Sequence, residues 1–205
     1  GGPAWKQIIF IGKAKDGILR QRWQQFSRER LIFVDMYPEG AFGEVATEPG
    51  PWKQTCKALH IEDYQLLQLE ENGIKPLKKM VKENRSAQVV LYPERGFTKE
   101  KWPADDFLKL YRSLEKSGID VTIQEPLGSR FDVERKVFCE DLSEVKRFYS
   151  EGGIFVSNDS GMAHLAGACG LSTITIFSNF DPCIWHPRGE FYTITADDGP
   201  ITVEA

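Results

Sequence analysis

The chain has 205 residues, 41% of them hydrophobic and 27% charged, the balance of a globular protein with a core of its own. Its 26 Lys and Arg against 30 Asp and Glu give a net charge of −4, which excludes a polyanion-coating protein and so nucleic acid as a partner, and leaves room for a local basic site that takes a diphosphate. No apolar run reaches the ~18 residues of a membrane span, the start Gly1-Gly2-Pro3-Ala4-Trp5 lacks a signal-peptide layout, and Cys56, Cys139, Cys169 and Cys183 show no close pairing, so a cytoplasmic chain with reduced thiols is expected.

Strand-like and helix-like segments alternate along the chain. Gln7 to Ile11 and Leu31 to Val34 have strand composition, with a helix expected between them over Asp16 to Ser27. Pro38 to Pro51 is rich in Gly, Pro and Glu and is expected to be a loop. Trp52 to Leu59 is expected to be helical, Gln65 to Leu69 extended, and Ile74 to Glu83 helical again. The polar stretch Glu83-Asn84-Arg85-Ser86 marks a boundary, giving a small α/β region over 1–85 and a second domain over 86–205.

The second domain is patterned more clearly. Gln88 to Tyr92 is a short apolar run of buried-strand type, and Phe107, Leu108, Leu110, Tyr111 and Leu114 repeat at helical spacing between Pro103 and Ser117. Pro103 suits a helix start, with Asp105 and Asp106 in the first turn. Strands are then expected at Asp120 to Ile123, Arg135 to Phe138, Ile154 to Ser157, Ser172 to Phe177 and Tyr192 to Thr195. Helices are expected at Leu142 to Ser150 and over the small residues Gly161 to Cys169. Such a series implies an α/β fold with a parallel, doubly wound sheet, whose ligands bind at the carboxyl ends of the strands.

Three segments fall at those ends. In Phe155-Val156-Ser157-Asn158-Asp159-Ser160-Gly161-Met162-Ala163-His164 a strand gives way to a helix within two residues, so free N–H groups and the helix dipole face the ligand edge. Asp159 or Ser160 can cap that helix, Gly161 allows close approach of a ligand to the backbone, and His164 lies one turn in. The bland alternative, two capping residues and a structural histidine, weighs about equally for such a segment in isolation, because these caps are common. The segment 93–102 carries Arg95, Thr98, Lys99 and Lys101, which can meet phosphate charge or form a solvated basic loop. The segment 178–187, with two prolines and Trp185, can wall a pocket or pack as a surface loop.

The run Lys101-Trp102-Pro103, then Asn158-Asp159-Ser160-Gly161-Met162-Ala163-His164-Leu165-Ala166, then Phe177-x-x-x-Asp181-Pro182-x-x-Trp185-x-Pro187 resembles the carboxyl-terminal domain of glycosyltransferase family 9, the ADP-heptose:lipopolysaccharide heptosyltransferases. The likeness in order and spacing spans roughly residues 86–196. The resemblance implies a GT-B fold of two Rossmann-like domains, with an ADP-sugar, ADP-heptose by family habit, held on the second. It implies that Asp159, Ser160, Gly161 and His164 line the donor site and that Thr98 with Lys99 or Lys101 meets phosphate. It further implies inverting transfer to a lipopolysaccharide core or other glycan acceptor at the cytoplasmic face of the inner membrane, peripherally held, with no metal and no cofactor. The family places a lysine two residues before the Trp, where this chain has Glu100. The family's carboxylate base sits in a Gly-Asp turn after the first strand. Asp16 in Gly12-Lys13-Ala14-Lys15-Asp16-Gly17 is the nearest counterpart, although Asp before Gly is more often only a turn. Roughly half of the family's amino-terminal domain is expected to be missing.

Three competitors are weighed beside this. A non-catalytic nucleotide-sugar-binding module would keep the donor residues and lack a usable base. A serine hydrolase on Ser160 and His164 lacks the nucleophile elbow. A zinc site from His164, Cys169, Cys183 and His186 lacks close ligand pairs.

Overall fold

The computed structural model describes residues 7–12, 18, 21–22, 30–36, 60–75, 86–94, 101–178, 180–195 and 201–203. The chain divides into two compact units, Gly1–Lys78 and Lys79–Ala205.

In the first unit, β1 (Gln7–Gly12) and β2 (Arg30–Asp35) pair in parallel from Gln7 opposite Arg30 to Gly12 opposite Asp35. Phe10 meets Phe33 edge-on at 5.7 Å across the pair. Residues 18, 21 and 22 are helical; the rest of the helix expected over 16–27 lies outside the described residues, as do the loop 38–51 and the helix 52–59. The expectation of an extended segment at Gln65 to Leu69 is corrected, because these residues sit inside the helix α1 (Ile61–Glu71). Gln and Leu are good helix formers, and Glu62 and Asp63 favour the first turn electrostatically. The helix stops in a Schellman arrangement: Gly73 adopts φ 76°, its N–H donates to Glu70 O, and the Ile74 N–H donates back to Leu69 O. Ile74 and Lys75 are therefore past the helix end rather than at the start of another, and 76–83 lies outside the described residues.

The second unit is a six-stranded parallel sheet in the order β5-β4-β3-β6-β7-β8. Its strands are β3 (Val89–Tyr92), β4 (Val121–Gln124), β5 (Lys136–Val137), β6 (Ile154–Asn158), β7 (Ser172–Phe177) and β8 (Phe191–Thr195). Between them run α2 (Ala104–Lys116), α3 (Leu142–Tyr149), α4 (Gly161–Cys169) and the single turn α5 (Pro182–Trp185). The doubly wound expectation for this unit holds, with every neighbouring pair parallel.

Alternation along β3 feeds two cores. Val89 and Leu91 join Trp102, Phe107, Tyr111 and Ile123 on the α2 face, whereas Val90 and Tyr92 join Val145, Tyr149, Phe155, Ala163 and Ala166 beneath α3 and α4. A strand buried on both faces reads as a continuous apolar run, which is why this part of the sequence is so legible. Close packing also requires glycine: a Cβ on Gly167 would lie 2.3 Å from the Arg188 carbonyl oxygen. Cys139 and Cys169 are free thiols, and Cys56 lies outside the described residues.

Candidate functional site

The strand order creates one special place. The chain leaves β3 toward β4 and β5 on one side and leaves β6 toward β7 and β8 on the other, so the sheet's connections diverge between β3 and β6. The crevice outside the carboxyl ends of two such strands is where doubly wound sheets bind ligands. Here those ends are Tyr92-Pro93-Glu94 and Asn158-Asp159-Ser160, held side by side by the register of Tyr92 opposite Ser157.

Helix α4 begins at this crevice. Ser160 is its N-cap, in extended conformation, and its Oγ accepts from the Ala163 N–H at 3.3 Å. The remaining amides of the first turn lack intrahelical acceptors and carry the positive end of the dipole. Gly161 is exposed, and a Cβ built on it meets nothing within 4 Å, so packing within the described residues does not demand a glycine there. Asp159 is half-buried, with its N–H donating to Ile176 O at 2.9 Å. Burial pushes its carboxyl above the usual carboxylate range; the positive fields of His164 and Lys101 oppose that rise and the charge of Glu94 adds to it. Asp159, His164, Lys101 and Glu94 thus share one electrostatic neighbourhood.

Lys101 enters from the segment after β3. Its Nζ lies 3.0 Å from Glu94 Oε2, with both side chains largely shielded from solvent. Of the residues singled out by sequence, Lys101, Asp159, Ser160, Gly161 and His164 gather at this edge, whereas Thr98, Lys99 and Asp16 lie outside the described residues.

Two residues here escaped the sequence reading. Glu94 stands beside Arg95, Thr98, Lys99 and Lys101 in segment 93–102, and its role emerges only when the fold brings Lys101 back to it. Asn158 stands in the quoted motif without a role, yet it is 1% exposed. Its Oδ1 accepts from the Trp102 N–H at 2.9 Å and its Nδ2 donates to the Trp102 carbonyl at 3.2 Å. A polar side chain at the end of a buried strand needs partners, and that was the available signal.

The segment after β7 is a short helix rather than the loop expected from its prolines. Asp181 caps it by accepting from the Cys183 N–H at 2.9 Å, and Pro182 occupies the first turn. Phe180 packs against Trp185 at 5.4 Å, and His186 stacks on Phe191 at 3.8 Å. Among the described residues no cluster of three or more His, Cys, Asp or Glu could hold a metal ion, and no helix is long and apolar enough to cross a membrane. A cavity of about 310 Å³ lined by Glu115, Asp120 and Arg135 opens at the opposite, amino-terminal edge of the sheet, away from these groups.

The family profile of glycosyltransferase family 9 (heptosyltransferase) matches residues 140–200, the span from before α3 to beyond β8. Two solved structures share the architecture. The E. coli heptosyltransferase WaaC with ADP aligns over 94% of this chain and 67% of its own, at 16% identity and a TM-score of 0.57. The two proteins share one fold. The family 9 glycosyl transferase from Veillonella parvula DSM 2008 aligns over 88% of this chain and 66% of its own, at 12% identity and a TM-score of 0.58. The chain thus spans about two thirds of the length of these heptosyltransferase-like, GT-B-like proteins. No curated protein matches it.

Proposed function

We propose that this chain carries the nucleotide-sugar donor site of a family 9 glycosyltransferase, with ADP-heptose or a similar ADP-sugar as donor and a lipopolysaccharide core or other glycan as acceptor. The observation that carries the reading is the convergence of Lys101, Asp159, His164 and the amino-terminal turn of α4 at the one divergence point of the sheet. The solved relative with ADP adds support for the nucleotide.

In this reading the diphosphate lies against the Gly161 turn, whose N–H groups and dipole stabilise negative charge. Lys101 supplies a mobile cation, and Thr98 and Lys99 complete the phosphate contacts. As the bond from the anomeric carbon to the diphosphate oxygen breaks, charge grows on the leaving ADP. Fixed N–H groups and the Lys101 ammonium stabilise that charge more than they stabilise the bound donor, and this difference lowers the barrier. We propose that this needs no metal ion. The acceptor hydroxyl attacks the opposite face with inversion, its proton passing to a carboxylate, for which Asp16 is the proposed base. Such an enzyme works in the cytoplasm, peripherally at the inner membrane.

Isothermal titration with ADP, with UDP and GDP as controls and His164→Ala alongside, tests the donor site. Selective ADP binding that weakens in the variant is expected; no binding of any nucleotide sinks the reading. ADP binding without sugar transfer to any glycan would make the chain a nucleotide-sugar-binding module instead.

A further inference from the structure

We propose that Asn158 is a positioning residue of the diphosphate site, acting through Lys101; the proposal rests on the donor-site reading above. The carboxamide of Asn158 presents one acceptor and one donor in a plane, and Trp102 answers with its own N–H and carbonyl, at 2.9 and 3.2 Å. The peptide group that supplies this N–H is the one that joins Lys101 to Trp102. The root of the lysine is therefore tied to the last residue of β6, immediately before Asp159.

Other contacts anchor the same residue. The Trp102 ring packs edge-on to Phe107 at 4.6 Å, and its Nε1 donates to Ile201 O at 3.0 Å. Pro103 follows, which biases Trp102 toward the extended conformation that sets its N–H and carbonyl at the spacing of a carboxamide. Without the clamp, both backbone groups of Trp102 would be left without these partners inside the fold, an arrangement proteins avoid. The consequence for the site is geometric. A lysine reaches its target on a flexible stem, so the position of that stem's root decides whether the ammonium meets phosphate or stays with Glu94.

A side chain that merely satisfies buried groups would weaken nucleotide binding equally whether or not Lys101 is present; a positioning residue would not. The test is a double-mutant cycle of Asn158→Ala and Lys101→Ala on the full chain, read by titration with ADP, with thermal melting recorded for each protein. With Lys101 present, Asn158→Ala is expected to weaken ADP binding about tenfold, and in the Lys101→Ala background by less than about twofold. Asn158→Asp keeps the acceptor for the Trp102 N–H and is expected to give an intermediate loss; it replaces the alanine variant in the cycle if that variant does not fold. Equal fold-losses in the two backgrounds overturn the role of Asn158 while leaving the donor site standing. Failure of the native chain to bind ADP overturns both.

Discussion

Lys101 and Glu94 sit 3.0 Å apart, ammonium to carboxylate, at the mouth of the crevice between β3 and β6. In the proposed site a diphosphate and Glu94 would compete for one cation. Removing Glu94 takes away both the competitor and a negative charge that acts on Asp159. Glu94→Gln is therefore expected to tighten ADP binding severalfold, on the scale of ~1 kcal/mol that such a partly exposed pair represents, and the gain should shrink as salt screens the site. Titration with ADP at low and high ionic strength checks this; weaker binding in the variant would show that Glu94 contacts the ligand rather than competing with it.

Two glycines of one helix should separate stability from binding. Gly167 is buried, and a Cβ there would lie 2.3 Å from a backbone oxygen of Arg188. Gly167→Ala should cost about 1–3 kcal/mol, the usual scale of overpacking, visible as a lower melting temperature. Gly161 has open space around its Cβ position and a φ outside the left-handed region. Gly161→Ala should leave the melting temperature unchanged and weaken ADP binding, because the new methyl group occupies the space a diphosphate needs. Unchanged ADP binding in that variant would move the ligand away from the α4 turn.

The contrast between the two units shows what a sequence makes legible. In the second unit, strands buried on both faces write themselves as apolar runs, and helices α2 and α4 end at glycines, so element order and the ligand edge follow directly. Val89 to Tyr92 is such a strand. The site residues were legible to the extent that they lie at strand ends: Asp159, Ser160 and His164 stand in one unbroken motif. Glu94 and Asn158 were not, because their roles are set by partners 7 and 56 residues away. In the first unit Gln65-Leu66-Leu67-Gln68-Leu69 does not alternate, and its Gln residues three apart suit one face of a helix that reaches β2. The stop signal Asn72-Gly73 was present in the sequence and was the better guide.

Asp159 gives a pH signature. Burial raises its carboxyl above the usual range, and the fields of His164 and Lys101 only partly offset this. The charged form is thus disfavoured in the folded chain relative to the unfolded one. The stability associated with this group is fully present below the ordinary carboxylate range and is lost as pH rises through the raised folded value. At neutral pH the ionised side chain is a net cost, so Asp159→Asn should be more stable than the native chain there, with the difference fading as the solution is acidified into the carboxylate range. Denaturant melts across that window measure it. A variant that is less stable at neutral pH would mean that the attraction of Asp159 to His164 and Lys101 outweighs its burial.

Gln68 repeats in the first unit the device that Asn158 uses in the second. Its Oε1 accepts from the Asp35 N–H at 2.8 Å and its Nε2 donates to the Asp35 carbonyl at 3.2 Å, while Gln65, three residues earlier on the same helix, donates to Met36 O at 2.9 Å. Positions three apart share a helix face, so both amides reach the carboxyl end of β2 together, which a strand at 65–69 would not allow. Gln68→Met keeps the helix propensity and removes both bonds to Asp35. The expected cost is about 1–3 kcal/mol for the two backbone groups left without these partners, concentrated in the first unit. Amide hydrogen exchange at Asp35 should accelerate by one to two orders of magnitude, about the factor that this free energy represents, while amides of β3 and β6 keep their native rates. Unchanged exchange at Asp35 would mean that water or another side chain takes over the pair of bonds without loss.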